Sequence, residues 1–238
     1  MVNQQRLPLG RSQMGTCRRN SDRTRMCRGG VRYFGHRYRV IGCDLSLESL
    51  QAIDFYEQRV RADAVQCIPM PDASVDAVVS SYFWEHIPPP LKPGILQECQ
   101  RVLRPGGKLI FLYDVETDNP LIRRYKNSKP ELYKQLFMDG DGHLGYETPK
   151  ANRAHFEKAG FHVLTQQGME KTPLQGASVY IKLAAFEGSG LFERVGSLGA
   201  TRWFYPWTLL LRLVDSWICP LLPVSWARIE MMIAEKRK

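Results

Sequence analysis

The most regular pattern of apolar positions lies between residues 60 and 113. Short apolar runs at residues 76–80 and 108–113 are each bounded by turn residues, as is typical of buried parallel strands. Between them, apolar residues recur at helical spacing and predict a helix with one buried face, made of Leu91, Ile95, Cys99, Val102 and Leu103. A Pro-Gly turn at residues 104–107 ends this helix. The pattern therefore predicts a strand–helix–strand unit with a right-handed crossover.

Similar signals continue on both sides of this unit. Residues 39–44 predict a strand that ends in a carboxylate, and Ser46 is a suitable N-cap for a helix over residues 47–56. Residues 61–64 end the next short strand. Thr148 and Pro149 begin a helix that Gly160 ends. Two more strands are predicted at residues 161–167 and 228–235, and one further helix at residues 130–137.

The motifs DASVDAVVSSYFWEHIP and RVLRPGGKLIF follow one another in this order, and together they resemble the second half of class I S-adenosylmethionine-dependent methyltransferases. The resemblance is strongest to the small-molecule branch called methyltransferase type 11, and it extends over residues 38–163. It implies an α/β fold: a Rossmann-like, mostly parallel sheet with an antiparallel last strand and helices on both faces. It also implies S-adenosylmethionine as the cofactor and methyl transfer to a small molecule as the reaction.

The resemblance assigns four residues to the nucleoside part of the cofactor. In the family, a carboxylate after the second strand accepts hydrogen bonds from the ribose hydroxyls, and Asp44 matches it; strand, carboxylate and helix in this order are common in nucleoside-binding sites. Leu45 would form one wall of the adenine slot. Asp63 matches the acidic residue that accepts from the adenine amino group, and the N–H of Ala64 would meet the ring. For both aspartates, a plain turn or cap role remains open.

Five further residues are assigned to the reacting end of the site. Ser81 and Tyr82 follow the fourth strand and would line the methionine end, because ligands of open α/β sheets bind at the carboxyl edge of the strands. His86 is a candidate general base if the acceptor is a hydroxyl, although a structural hydrogen bond would also explain it. The family often has a histidine-containing loop before a Thr-Pro helix start. His143 and Tyr146 match this loop and would face the methyl acceptor, with an ordinary loop role as the alternative.

Residues 1–37 form an irregular, arginine-rich N-terminal segment in which the first strand and the G-x-G-x-G loop of the family cannot be placed. Its native sequence could have diverged, or a reading-frame error could have produced it. Without the loop's backbone donors we expect weak cofactor binding, and we expect residues 1–25 to be poorly ordered. A non-catalytic protein that keeps the fold is therefore an alternative function.

The net charge of +9 is weaker evidence for nucleic-acid binding than its size suggests, because of where the charges lie. Residues 1–39 hold ten arginines and one acidic residue, so they carry the whole net charge and the rest of the chain is neutral. The body of the protein is therefore not a basic binding surface. A nucleic-acid methyltransferase that uses the arginine-rich arm stays a weaker alternative to one that acts on small molecules.

Residues 38–238 are predicted to be one methyltransferase domain with insertions at about 114–147 and 168–226. The second insertion contains a very apolar stretch, residues 203–223, with three tryptophans. Only thirteen residues separate Pro206 from Pro220, whereas a membrane span needs about twenty apolar residues. A cap over the substrate is the favoured interpretation, ahead of a dimer contact or an interfacial membrane helix. The insertions favour a hydrophobic or lipid-linked acceptor.

The six cysteines include no C-x-x-C pair, and the acid–glycine run at residues 139–146 lacks the spacing of an EF-hand. We therefore expect no metal site and reduced thiols. No signal peptide is evident at the start of the sequence. The expected location is cytoplasmic, peripheral to the membrane if residues 203–223 bind lipid.

Overall fold

A computed structural model of the 238-residue chain describes residues 38–172, 177–187 and 204–237, together with residues 190, 193, 194, 197 and 201. The expectations for residues 1–37 lie outside these residues. Six strands are described: β1 Ile41–Asp44, β2 Gln58–Arg61, β3 Val75–Ser81, β4 Leu103–Asp114, β5 Phe161–Met169 and β6 Ile229–Lys236. The α-helices are α1 Leu47–Gln51, α2 Lys92–Val102, α3 Pro120–Ser128, α4 Pro130–Lys134, α5 Pro149–Lys158, α6 Ala177–Glu187 and α7 Phe204–Ile218.

The described strands form two sheets. β1 pairs with β2 in parallel, and a four-stranded sheet has the order β3-β4-β6-β5. In it β3 and β4 are parallel, whereas β6 runs antiparallel to both of its neighbours. The predicted α/β fold with an antiparallel last strand is confirmed. The single continuous sheet that we expected is not seen within the described residues, since the first strand of the family would come from residues 1–37.

The main core lies between the four-stranded sheet and the helices that pack on it. Helix α2 buries Ile95, Cys99 and Val102 against β4, as the helical spacing predicted, and it buries Leu96 as well. Leu103, predicted on the same helix face, is instead the first residue of β4. The prediction for Leu91 is wrong, because this residue ends a 3-10 turn before the helix and its side chain is 45% exposed. Burial of this apolar face is what holds the crossover helix on the sheet.

The two segments that we predicted as insertions share a second core. Side chains from α3, α4, the following π-helical turn Gln135–Asp139 and α6 form one buried cluster, which we call the insertion cluster: Ile122, Tyr125, Tyr133, Phe137, Val179, Tyr180, Leu183 and Phe186. Polar contacts reinforce it, since Lys182 pairs with Asp141 and Lys129 Nζ donates to the Phe186 carbonyl. Segments that are some fifty residues apart in sequence therefore pack as one unit.

Several predicted boundaries change in the structure. The helix predicted over residues 47–56 is the five-residue α1, and the one predicted over 130–137 is α4 followed by a π-helical turn. Helix α3 was not predicted. The cap of α5 is confirmed, since the N–H of Ala151 donates to Thr148 Oγ1 at 3.3 Å and Gly160 follows the helix with a φ of +87°. No helix within the described ranges has the length and hydropathy needed to cross a bilayer.

Candidate active site

Asp44 lies at the end of β1 and is 5% exposed. Its Oδ1 accepts the backbone N–H of Ser46 at 2.6 Å, and Ser46 in turn caps α1 by accepting the N–H of Ser49. Its Oδ2 is buried and has no hydrogen-bond partner among the described residues. Burial raises the pKa of Asp44, and the hydrogen bond from Ser46 opposes this effect. Asp44 therefore has a turn role through one oxygen, while the other is a buried acceptor suited to a hydroxyl donor.

Asp63 and its neighbours are placed differently. The Asp63 carboxylate accepts the N–H of Val65 at 3.0 Å and the side-chain amide of Gln66 at 3.1 Å, so the turn after β2 occupies both of its oxygens. The Ala64 side chain is buried in the main core, whereas Leu45 is 41% exposed beside the end of β1. Burial is the main reason why the pKa of the Cys43 thiol is raised to about 11, and the nearby charges of Asp44 and Asp63 add to this effect. These carboxylates therefore belong to one region at the ends of β1 and β2.

Ser81 is the last residue of β3 instead of following it, and Tyr82 comes directly after the strand at its carboxyl edge. Ser81 pairs with Leu112 in β4, and the N–H of Tyr82 donates to the carbonyl of the same residue at 2.7 Å. Tyr82 has a φ of +53°, a left-handed conformation that is uncommon for a bulky residue. Such strain persists only where the surroundings fix it, and it concentrates at ligand sites.

The three candidate catalytic residues come together in space. His86 and His143 are both buried, and their ring centroids are 5.3 Å apart. The ring of Tyr146 stacks on His143 at 4.9 Å with an interplanar angle of 27°. Although His86 and His143 are 57 residues apart in sequence, the structure unites them in one cluster, which we call the histidine pair.

Glu85 and Asp114 provide negative charge beside the histidine pair. Glu85 Oε1 lies 3.9 Å from His86 Nε2, and Asp114 Oδ2 lies 3.6 Å from His143 Nε2. Burial lowers the pKa of His143 to about 4, with the charge of Asp141 opposing it, so His143 is neutral near pH 7. Burial also raises the pKa of the Tyr146 hydroxyl well above its usual 10. The cluster therefore offers neutral imidazole and phenol groups at physiological pH.

The loop that carries His143 is docked by close backbone contacts. The N–H of Gly145 donates to the Glu85 carbonyl at 2.8 Å, and a Cβ at Gly145 would lie 1.9 Å from the Ile87 carbonyl oxygen. Only glycine allows this approach. His86 adds a second tie, because its Nδ1 lies 2.8 Å from the carbonyl of Gly142.

A fully buried lysine, Lys92, also holds the loop that carries His143. Lys92 Nζ donates to the Gly145 carbonyl at 2.8 Å, to Glu147 Oε2 at 2.6 Å and to Asn152 Oδ1 at 3.2 Å. Its ammonium also lies 4.7 Å from the ring centroid of Trp84. These contacts join the start of α2 to the loop before α5, and they position the histidine pair.

The sequence analysis assigned no role to Glu85, Asp114 or Lys92. A signal existed for Asp114, which ends β4 at the carboxyl edge where ligands of such sheets bind. Nothing local marks Lys92, because lysines are ordinarily exposed and its partners lie more than fifty residues away in sequence.

Comparisons with known proteins agree with the fold described above. A family model described as "Methyltransferase domain" matches residues 26–111. A solved S-adenosylmethionine-dependent methyltransferase from Archaeoglobus fulgidus superposes with a TM-score of 0.51 at 16% identity, over 88% of this chain and 82% of that chain. The fold is that of class I S-adenosylmethionine-dependent methyltransferases. No curated protein matches the sequence.

Other structures with this methyltransferase fold carry different reaction names. The cyclopropane synthase of Mycobacterium tuberculosis superposes with a TM-score of 0.52 at 14% identity, over 87% of this chain and 73% of that chain. The cyclase SpnF superposes with a TM-score of 0.51 at 16% identity, over 88% of this chain and 72% of that chain. These likenesses show the fold alone, and the reaction and its substrate have to be argued from the site.

S-adenosylmethionine is the cofactor that this methyltransferase fold implies, and Asp44 fits it. Its Oδ2, a buried carboxylate oxygen without a partner among the described residues, has the chemistry of an acceptor for a ribose hydroxyl, and this role stays a prediction. Asp63 fits less directly, since its two oxygens already accept hydrogen bonds from the turn. The exposed side chain of Leu45 is compatible with its predicted place in the adenine slot, and the strained backbone of Tyr82 is compatible with a place at the methionine end. Both assignments stay predictions.

Proposed function

We propose that this chain transfers the methyl group of S-adenosylmethionine to a small, hydrophobic or lipid-linked molecule. The observation that carries the proposal is the convergence of His86, His143 and Tyr146 at one buried position beside the end of β4. The bound cofactor supplies an electrophilic sulfonium methyl. The protein must hold the acceptor atom close to this methyl group and in line with the sulfur–methyl bond that breaks. It must also supply a base if the acceptor atom has to lose a proton.

His86 is suited to the role of base. The Gly142 carbonyl can only accept a hydrogen bond, so Nδ1 of His86 carries the proton in their 2.8 Å contact. In the neutral ring, Nε2 then holds the free electron pair and can take a proton from an acceptor hydroxyl. Tyr146, whose phenol stays protonated, would orient the acceptor as a hydrogen-bond donor.

The insertions support an apolar acceptor. The insertion cluster is joined to the loop of the histidine pair through the contact of Lys182 with Asp141. Helix α7 adds an exposed apolar surface: Trp217 is 79% exposed and Leu213 is 53% exposed, and Leu221 just beyond the helix is 83% exposed. An exposed helix face with tryptophan and leucine is typical of interfacial helices. We therefore include contact of α7 with a lipid surface in the proposal.

A calorimetric titration with S-adenosylhomocysteine, followed by transfer assays with apolar hydroxyl acceptors, tests the catalytic proposal. We expect binding of the cofactor product, and a rate at least about a hundredfold lower in His86→Ala, the contribution usual for a general base. His162→Ala, which changes an exposed histidine on β5, is the matched control. Absence of any binding would favour the alternative function, a non-catalytic protein with this fold.

Co-sedimentation with liposomes tests the lipid contact. We expect the protein to sediment with the vesicles and Trp217→Ala to remain largely in solution, whereas Tyr38→Ala, an exposed aromatic outside α7, behaves as the parent. If α7 instead caps the acceptor, Trp207→Ala lowers methyl transfer without changing cofactor affinity. Lack of sedimentation by the parent protein contradicts the membrane contact.

A further inference from the structure

The histidine pair and Glu85 together form a cluster with the dimensions of a metal site. Glu85, His86 and His143 each offer one ligand atom, and all of these atoms lie within 4.8 Å of one another. The three side chains are buried, with 1%, 7% and 6% exposure. We propose that Glu85, His86 and His143 bind a divalent first-row transition-metal ion.

The hydrogen bonding of His86 prepares it as a ligand. Histidines that bind metal ions ordinarily donate their other ring N–H to a carbonyl or carboxylate, which fixes the tautomer and the ring orientation. The contact of His86 Nδ1 with the Gly142 carbonyl at 2.8 Å does this. It leaves Nε2, which lies 3.9 Å from Glu85 Oε1, as the ligand atom.

His143 has a comparable outer partner. Asp114 Oδ2 lies 3.6 Å from its Nε2, an arrangement of carboxylate and imidazole that commonly supports a metal-bound ring. The loop of His143 is also held by the Gly145 contact with Glu85 and by Lys92. The three ligands are therefore carried by two segments that are fixed against each other.

Charge favours a cation at this position. The Lys92 ammonium donates its hydrogen bonds to Gly145, Glu147 and Asn152, and the charges of Lys92 and Glu85 attract each other. A divalent ion between Glu85 and the two imidazoles would offset the buried negative charge directly.

The donor set selects the kind of ion. Two imidazoles and one carboxylate suit Zn²⁺, Fe²⁺, Co²⁺ or Mn²⁺, whereas Ca²⁺ and Mg²⁺ prefer sites made of oxygen atoms. Metal–ligand bonds of about 2.0–2.2 Å require the three ligand atoms to draw together by roughly an ångström. Three protein ligands leave coordination positions open to water or to an oxygen of the acceptor.

This inference does not rest on the proposed methyl transfer, but it excludes His86 as the base while the ion is bound, because a ligated Nε2 cannot take a proton. It also differs from the sequence expectation of no metal site. That expectation considered ligands at short, regular spacing. Here one ligand comes from a loop that is more than fifty residues away from the other two. Metal-binding patterns assembled by tertiary contacts carry no local signal.

The test is a titration of the chelator-treated full chain with Co²⁺, followed by visible absorption in the absence of cofactor and acceptor. We expect one Co²⁺ per chain, displaced by Zn²⁺, with the weak visible bands of nitrogen and oxygen ligation. Affinity should fall at least tenfold in His86→Ala and in His143→Ala, and should not change in His162→Ala. Circular dichroism checks that each variant folds. If a histidine variant does not fold, the Co²⁺ affinity of Glu85→Gln is compared with that of the parent instead, and it should be lower.

Three results would overturn the proposal: no Co²⁺ binding, equal affinity in the parent and in folded variants of the three ligands, or charge-transfer bands of thiolate ligation from a cysteine. None of these results bears on methyl transfer, because the titration contains neither cofactor nor acceptor. Failure of the metal site and failure of the proposed function are therefore separate outcomes.

Discussion

Asp44 has a structural role through one carboxylate oxygen, and we predict a cofactor-binding role for the other. Its Oδ1 completes the turn into α1, and its Oδ2 is buried without a partner among the described residues. If Asp44 only made the turn, its Oδ2 would stay a buried acceptor without a donor, and such an acceptor costs about 1–3 kcal/mol. The hydroxyls of a bound ribose would be donors that remove this cost.

Asp44→Ala should therefore weaken binding of S-adenosylhomocysteine by at least about tenfold, since hydrogen bonds to charged groups contribute about 1.5–3 kcal/mol. Calorimetric titration measures the change. The matched control is Ser46→Ala, which removes the cap of α1 at a cost of about 1 kcal/mol in stability but leaves the carboxylate in place. Equal affinities in Asp44→Ala and the parent would reduce Asp44 to a turn residue.

The residue scale also shows what the sequence could predict of the site. The resemblance to the methyltransferase family identified the candidates Asp44 and His143, and His86 was identified by its place after a strand. The tertiary partners of the two histidines could not be predicted, since Gly142 meets His86 and Asp114 meets His143 through packing of distant segments. The burial of Lys92 is the clearest omission, because its partners come from another segment of the chain.

At the scale of elements, local pattern predicted strands better than helices. β3, β5 and β6 are apolar runs bounded by turns, and all three were placed to within two residues. β4 ends as predicted but begins at Leu103, so it includes residues 104–107, which were predicted to form a turn. Helix α3 was missed because its polar sequence buries only Ile122 and Tyr125, and these pack against α6, which comes much later in the chain. Its folding depends on a long-range contact that periodicity does not contain.

The start of α2 and the loop before α5 depend on the Lys92 network. Burial lowers the pKa of the Lys92 ammonium, and the contact with Glu147 opposes this. Lys92→Met would leave the Glu147 carboxylate, 21% exposed, without its ammonium partner. We expect a loss of about 3 kcal/mol in the free energy of unfolding.

Denaturant unfolding of Lys92→Met, Glu147→Gln and the double variant measures this coupling. The double variant should be more stable than Lys92→Met, because it no longer contains a carboxylate that has lost its ammonium partner and keeps only the contact with His155. Strictly additive effects of the two substitutions would show that the pair is not coupled.

A second polar network fixes the segment before β3 to α2. Glu98 accepts hydrogen bonds from Arg101 at 2.8 and 2.9 Å and from the N–H of Ile68 at 3.0 Å, while Arg101 also donates to the carbonyls of Ile68 and Met70. The hydrogen bonds from Arg101 lower the pKa of Glu98 from 4.5 to about 2, against the opposing effect of burial.

Because the pKa of Glu98 is lower in the folded state, its contribution to stability is complete above pH 4.5 and is lost as the pH falls towards 2. Glu98→Gln should lower the free energy of unfolding at neutral pH by about 1–2 kcal/mol. It should also reduce the pH dependence below 4.5. The control is Glu157→Gln, which breaks an exposed pair with Arg153 and should cost at most about 0.5 kcal/mol. Identical acid unfolding curves for Glu98→Gln and the parent would contradict this account.

At the scale of the whole molecule, the described residues contain two sheets and two cores. The four-stranded sheet and α2 enclose the main core, and the insertion cluster forms the second beside the loop of the histidine pair. β1 and β2, which carry Asp44, are not hydrogen-bonded to the larger sheet within the described part of the chain. In the methyltransferase fold a first strand and a glycine-rich loop stand at this junction, and here that part would come from residues 1–37.

Replacement of residues 1–34 by an apolar strand, a G-x-G-x-G loop and a helix should therefore raise affinity for S-adenosylhomocysteine at least tenfold, because the loop and the helix N-terminus add backbone N–H donors. A graft with alanines at the three loop glycines is the control, since their side chains would block the close approach of the backbone. Titration calorimetry compares the two with the parent chain.

The family match begins at residue 26 and includes Gly29 and Gly30. If the parent already binds with micromolar affinity and the graft adds nothing, these two glycines would supply the donors, and our interpretation of the N-terminal segment would be wrong.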